Sequence, residues 1–332
     1  PFSLRMLAAS RRRRFDAGTA ALRSLLAAAM PAWKRMLEQA GAPELLREQG
    51  HFVAWESEAG ARAGRAAWGA ADTGTTSLRD ATAEELAAIA SLLKTPPAGA
   101  IRFAGSGQIA DLPELAVSLR EAFVRAGGIV RRGTVRALSG RGDAEVAELD
   151  EGDSLTAEAM IVAAGYGSAS LLRPIGYKVP LVAERGYHIE TAATDWPADL
   201  APVVFEERSM VVTRFTSGLR AASFVEFTRQ SSPPDPRKWA RLRDHVRALG
   251  LRFDEPATEW MGVRPTFPDY LPAVGQSRRA PNLYYAFGHQ HLGLTLAAVT
   301  ADMVAAMVSG EAPPVDPAPF DLERFRSGGA AG

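Results

Sequence analysis

Two apolar runs, each ending on a glycine that opens a helix, constrain this chain more than any other feature. The first is Ala159-Met160-Ile161-Val162-Ala163-Ala164, which enters Gly165 and then a Leu-rich stretch through Leu172. The second is Leu283–Phe287, followed by Gly288-His289-Gln290-His291-Leu292-Gly293-Leu294-Thr295 and an apolar helix to Val308. That helix carries Leu296, Val299, Met303 and Met307 on one face. An unbroken apolar strand that meets glycine ahead of a helix has the pattern of a buried parallel strand. An α/β fold is therefore predicted.

Other segments fill in around these runs. Leu22, Leu25, Leu26, Trp33, Met36 and Leu37 have helical spacing, with Pro31 expected to divide two helices and Gly41 to end the second. His51–Trp55 reads as a strand. Thr82-Ala83-Glu84-Glu85 is a capping box for a helix to about Lys94, and Asp111 with Glu114 opens another that Gly127-Gly128 stops. A strand is expected over Ile129–Arg132, and a hairpin over Glu145–Leu149 and Ser154–Ala157. Tyr187–Thr191, Val203–Glu206, Met210–Arg214 and Leu219–Phe227 read as an antiparallel, half-buried sheet. Asp235-Pro236 starts a helix to about Leu249.

The 332 residues suffice for one large or two ordinary domains. Lys+Arg and Asp+Glu balance at 38 each, so charge points to no nucleic acid partner. The absence of cysteine rules out disulfides, thiolate catalysis and Cys-ligated metal within this sequence. No run approaches the ~20 apolar residues of a membrane span. Arg11–Arg14 suits a solvated helix face better than a lipid or nucleic acid site, being a short patch.

Three motifs carry chemistry. Backbone N–H groups at the glycine-rich Gly288–Thr295 turn aim partial positive charge outward, and glycines let a flat ring approach the backbone. Such a turn suits the N1 and O2 edge of a reduced flavin. His289 and His291, two residues apart with no nearby carboxylate, make an incomplete metal shell, so no metal is assigned. Arg264, between Val263 and Pro265 in an apolar stretch, needs an anion; a bound carboxylate satisfies it, and so does an ion pair with Glu259, Asp254 or Asp269. Tyr187 and His188, beside Gly186, suit either a ligand or a partly exposed strand pair.

In order and spacing, Glu184-Arg185-Gly186-Tyr187-His188, Gly262-Val263-Arg264-Pro265 with Pro268-Asp269 and Leu271-Pro272, and Gly288–Thr295 resemble the FAD-dependent D-amino acid dehydrogenases. These stand in the wider group that includes glycine oxidase and D-amino acid oxidase. The similarity extends weakly from the N-terminus, through Gly99–Phe103, to about Ser309. It implies that Arg264 grips a substrate carboxylate, with Tyr187, His188 and His289 lining the substrate pocket and His291 at its rim. It assigns FAD to Val135, Ala164, Gly165, Arg185, Gly186, Gly288, His289, Leu292, Gly293, Leu294 and Thr295. The implied reaction moves hydride from the Cα of a D-amino acid to flavin N5, yielding a 2-oxo acid and ammonia, with electrons passed to a quinone or another acceptor. No catalytic acid or base is assigned. The alternatives are oxidation of a secondary amine (D-proline, hydroxyproline or sarcosine) or of glycine, and an inactive fragment unable to hold FAD. A cytoplasmic location is implied, with peripheral contact at the inner face of the cytoplasmic membrane as an option.

The resemblance departs at the N-terminus. The strand, Gly-x-Gly-x-x-Gly turn and helix that open such proteins have no counterpart: Gly60–Gly64 and Gly105–Gly107 follow no suitable strand and lack the third glycine. A βαβ unit takes about 30 residues, so a truncated Rossmann-like FAD domain is expected, with weakened pyrophosphate contacts. Segments 1–40, 80–175 and 262–310 are expected on the cofactor side. Residues 41–79 and 176–261 form the expected antiparallel substrate domain, and 311–332 a disordered tail.

Overall fold

Residues 2–325 are described by the computed structural model, apart from 142, 143, 151, 193, 229 and 255. A helix over Phe2–Ala9 precedes the long helix α1, Arg12–Ala40. The break falls near Ser10, and Pro31 lies inside α1. Proline there removes the bond to the Ala27 carbonyl at a cost of about 3 kcal/mol. Burial of Leu25, Ala29, Trp33 and Leu37 along one face offsets that cost. Gly41 ends α1 with φ 78°, as expected.

Strands β1 (His51–Trp55), β2 (Ser77–Asp80) and β3 (Gly99–Ala104) follow. Between the last two, the Thr82–Glu85 capping box starts the helix Ala83–Ala90. Helix α2 (Leu112–Arg125) begins where the Asp111 carboxylate accepts from the Glu114 N–H at 3.0 Å. Then come β4 (Met160–Val162), β5 (Val182–Thr191), β6 (Val203–Phe205), β7 (Met210–Phe215) and β8 (Gly218–Thr228). Helix α3 (Pro236–Leu249), β9 (Thr258–Thr266), β10 (Ala273–Gln276), β11 (Leu283–Phe287) and α4 (Gly293–Val308) follow in turn.

Eight strands share one sheet in the order β9-β5-β8-β7-β6-β1-β3-β2. All neighbours are antiparallel except β6 and β1, which run parallel with Val203 beside Phe52. Helix α3 covers one face of this sheet, packing Leu242, Val246 and Leu249 into the core that holds Tyr187, Ile189, Val212 and Ala221. A smaller sheet, β10-β11-β4, brings the two apolar runs together in parallel, with Leu283 beside Met160. Helices α1 and α4 share a core beside it through Leu25, Trp33, Leu296, Val299 and Met303. The predicted hairpin lies in a third sheet formed by Val135–Arg141, Ala144–Leu149 and Ser154–Ala157.

Four further expectations change. Ile129–Arg132 forms no strand, and Ile129 and Val130 are exposed. Strand β3 and all of β9 join the eight-stranded sheet, so 99–104 and 262–266 share one sheet with strands of 41–79 and 176–261. Residues 311–325 are ordered: Phe320 and Leu322 are buried, and the Tyr285 hydroxyl accepts from the Leu322 N–H at 3.0 Å. The remainder of the expected tail lies outside the described residues. The 19 residues Gln290–Val308, with a mean hydropathy of 1.6, are long and apolar enough to cross a membrane. One-third of this stretch is buried, with Leu296, Val299 and Met303 packed into the core with α1.

Candidate active site

Strand pleating decides which residues of Glu184–His188 reach the site. Glu184, Gly186 and His188 share one face of β5, opposite Arg264, Gly262 and Trp260 of β9. The Arg264 guanidinium lies over Gly186; a Cβ there would stand 2.6 Å from Nη1 and closer still to Nη2. Trp260 likewise lies over Gly262, where a Cβ would strike its indole, and it stacks on His188 with centroids 4.9 Å apart. Phe227 of β8 pairs with Glu184 on this face, and Val225, Phe227 and Trp260 leave about half of their surface exposed. The result is an open apolar floor with one guanidinium set into it.

Two turns close over the end of β9. The turn Gly165–Gly167 after β4 and the turn Gln290–Leu292 after β11 both pack against this strand, and Thr266 bridges His289. Both leave the carboxyl ends of parallel strands, where open α/β sheets place ligands. Gly288 has φ 81°, and a Cβ there would enter the Phe267 ring, so glycine is required on both counts. Tyr270 and Gln290 also hold left-handed backbone, at φ 59° and 46°, and Gln290 Nε2 donates to the Tyr270 carbonyl at 2.7 Å. Such strain costs about 1–3 kcal/mol per residue and collects at functional sites.

The electrostatics centre on Glu184, whose side chain is 0% exposed. Its Oε2 accepts from the Thr266 hydroxyl at 3.0 Å, and Oε1 faces Arg264 Nη1 at 3.8 Å and His291 Nε2. The three acids expected as partners of Arg264 are engaged elsewhere: Glu259 with Arg243 at 2.5 Å, Asp254 with Arg252 at 3.3 Å and Asp269 with Arg324 at 2.8 Å. Among the described residues, Arg264 donates one side-chain hydrogen bond, from Nη1 to the Phe224 carbonyl at 3.4 Å, and its side chain is 29% exposed. Burial lowers its pKa and Glu184 opposes that.

Three assigned residues stand apart from this face. Arg185 is buried, donating to Glu226 at 3.0 Å and to the Ser232 carbonyl at 2.7 Å. Tyr187 stacks edge-on against Trp239 of α3, and its hydroxyl donates to Glu226 at 2.7 Å. Both sit on the α3 side of β5, because alternate residues of a strand face opposite ways; this corrects their assignment to cofactor and substrate. His289 bonds through Nε2 to the Thr300 hydroxyl at 3.0 Å, and burial pushes its pKa down to about 4. It braces α4 as a neutral imidazole. His188 does lie on the Arg264 face, with its pKa pushed down to about 4 by burial and then by Arg220, against Glu190.

The residues around the α4 start fit the ring end of FAD. The first turn of α4 has no side-chain cap, and Leu294 and Thr295 are exposed, so the helix start is open to a ligand's polar edge. From beneath, the Trp33 indole N–H donates to the Leu294 and Thr295 carbonyls at 3.0 and 3.2 Å, fixing that turn. Leu292 and Gly293 join the same turn, and a Cβ on Gly293 would meet only His289. Toward the nucleotide end, Ala164 and Gly165 form an uncapped turn with Gly165 at φ 56° and open space before it. Val135 starts the neighbouring strand Val135–Arg141. No strand–Gly-x-Gly-x-x-Gly–helix turn exists among the described residues. Gly60 and Gly64 lie within the helix Glu58–Ala70, and Gly105 and Gly107 link β3 to the strand Gln108–Ile109. No group of three metal-binding side chains occurs among them either.

Sequence reasoning assigned no role to Glu184, Trp260, Tyr270 or Gln290. Glu184 stood inside a recognised phrase, yet its meeting with Arg264 depends on the β5–β9 register. The Pro268-to-Pro272 bracket around Tyr270 was the one available local signal.

Residues 4–307 match the family profile described as DAO, FAD dependent oxidoreductase. The D-amino-acid oxidase of Bradyrhizobium diazoefficiens is 31% identical over 312 residues, covering 92% of this chain and 73% of that protein. The D-amino acid dehydrogenase of Dechloromonas aromatica is 38% identical over 167 residues, which span 48% of this chain and 39% of that protein. Among solved structures, glycine oxidase from Geobacillus kaustophilus superposes with a TM-score of 0.75 at 22% identity, covering 92% of this chain and 82% of that one. L-proline dehydrogenase from P. horikoshii gives 0.72 at 15% identity, covering 91% and 82%.

Proposed function

Because this chain belongs to the DAO family of FAD-dependent oxidoreductases, we propose that it oxidises small D-amino acids at Cα to 2-oxo acids and ammonia, passing the electrons to a quinone or similar carrier. One observation carries the amino-acid part: a half-buried guanidinium, with donors to spare, set in an open apolar floor. Bound FAD supplies the acceptor for the hydride that leaves Cα. Arg264 takes the substrate carboxylate in its planar fork and so fixes which face of Cα is presented. Gly186 leaves room for that fork, while Val225, Phe227 and Trp260 displace water around the reacting carbon. Neutral His188 adds no second positive charge to compete for the carboxylate.

The D configuration rests on the names that the relatives carry. A carrier in the membrane suits the N-terminal region, where Arg11–Arg14 are exposed beside exposed Leu4, Leu7 and Phe15. The test uses FAD-loaded protein with paired D- and L-amino acids, glycine, sarcosine and D-proline, comparing a quinone analogue with dioxygen as acceptor. Substituting Arg264→Ala is expected to raise KM for D-amino acids about 10- to 100-fold, the worth of a charge-assisted pair. An unchanged KM, or turnover of L-amino acids alone, would refute the reading.

A further inference from the structure

Glu184 is fully buried, and its two oxygens are unequally served. Oε2 accepts from Thr266, whereas Oε1 lacks a hydrogen bond of normal geometry. The groups that reach Oε1 are the Arg264 guanidinium and the Nε2 edge of His291. A buried carboxylate oxygen left in this state is costly, and an N–H donor is what would satisfy it. His291 is the better placed of the two, and its side chain is 40% exposed.

We propose that His291, oriented by Glu184, takes the proton that the substrate ammonium must lose before its Cα–H can leave as hydride. This rests on the amino-acid reading above. With Nε2–H held toward Glu184, the tautomer is fixed and Nδ1 is left as a free acceptor on the other edge of the ring. The same logic orients the imidazole in other carboxylate–histidine pairs. One N–H bond of the ammonium breaks and one forms at Nδ1. The amine keeps its lone pair, and the positive charge moves to an imidazolium facing a carboxylate. The exposed ring then returns the proton to water.

The surroundings agree. Burial lowers the His291 pKa most, Arg264 from β9 lowers it further, and Glu184 from β5 raises it. Tyr270, from the turn after β9, is itself raised by burial and by the Glu184 charge, so it stays a neutral phenol. His289, next along the turn, is neutral and tied to Thr300. The imidazole is therefore unprotonated near neutral pH, ready to accept. Arg264 and His291 thus divide the substrate zwitterion between them, and Glu184 positions both.

The experiment compares the pH profiles of kcat/KM for wild type and His291→Gln with FAD loaded. At pH 7 the variant is expected to lose about 10²-fold, the usual worth of a general base. That deficit should close as pH climbs to the amine's own pKa, where solution does the deprotonation. A deficit constant across pH would overturn the proposal. Independently of turnover, the His291 ring proton is titrated by NMR in the purified chain and identified by its loss in His291→Gln. Glu184→Gln is expected to lower the His291 pKa, and an unchanged titration would overturn the pairing. Should wild type oxidise no amino acid at all, the functional reading fails while the titration still decides whether Glu184 governs His291.

Discussion

Replacing Gly186 with alanine tests the floor and the guanidinium together. The new Cβ would lie 2.6 Å from Arg264 Nη1, whereas nonbonded atoms rest at about 3.5–4.0 Å. The fork must therefore rise by about 1 Å, lengthening the bond from Nη1 to the Phe224 carbonyl, already 3.4 Å. A displacement of that size at a substrate-positioning group costs about 10²-fold in kcat/KM. Stability should hardly move. Gly186 is not among the residues in left-handed backbone, alanine suits a strand better than glycine by about 0.5–1 kcal/mol, and the displaced atoms end a flexible side chain. The assay measures kcat/KM for a D-amino acid, the inhibition constant of a simple carboxylate, and Tm on the same preparation. Both ligand parameters are expected to worsen in parallel at near-constant Tm. A folded variant with unchanged kcat/KM would show that the Arg264 position over Gly186 is irrelevant to turnover.

Two further predictions concern stability. Glu206 receives the indole N–H groups of Trp55 and Trp68, the latter at 2.9 Å; Glu206→Ala leaves both unpaired and should cost about 2–4 kcal/mol, read from the urea midpoint. Arg79, then the Thr82 N–H and Arg102, hold the Glu85 carboxyl down to about 2 from an ordinary 4.5. Because the folded pKa is the lower one, the contribution of Glu85 is complete above about pH 4.5 and lost as pH falls toward 2. Glu85→Gln should flatten the acid limb of a Tm–pH curve over that window, and an unchanged limb would refute the assignment.

Local chemistry was legible in the sequence wherever it acts over a few residues. The capping box at Thr82, the Asp111 cap and the strand-to-glycine-to-helix runs at 159–172 and 283–308 each reach their partners within one turn or one strand. The sites of failure share a cause. Whether Tyr187 faced Arg264 depended on the phase of β5 against α3, and the anion facing Arg264 depended on a register that joins residues 80 positions apart in sequence. Glu259, only five residues away, lost to Glu184 because an odd separation along β9 turns it to the opposite face, where it pairs with Arg243 of α3. Pro31 failed as a helix breaker because the tertiary burial of α1 outweighs one missing bond. Pro313 to Pro319 suggested disorder, yet Phe320 beyond them fills a pocket in the core.

The parallel β6–β1 pair also governs how the chain assembles. The antiparallel pairing of β1 with β3 closes within about fifty residues, but β6, the neighbour on its other side, is synthesised some 150 residues after Phe52. Until β6 emerges, β1 presents an unpaired apolar edge from a nascent chain, and the contact that covers it has high sequence separation. Such pairing is slow and leaves partly folded forms prone to aggregate. Production of this protein should therefore respond to translation rate and chaperone supply.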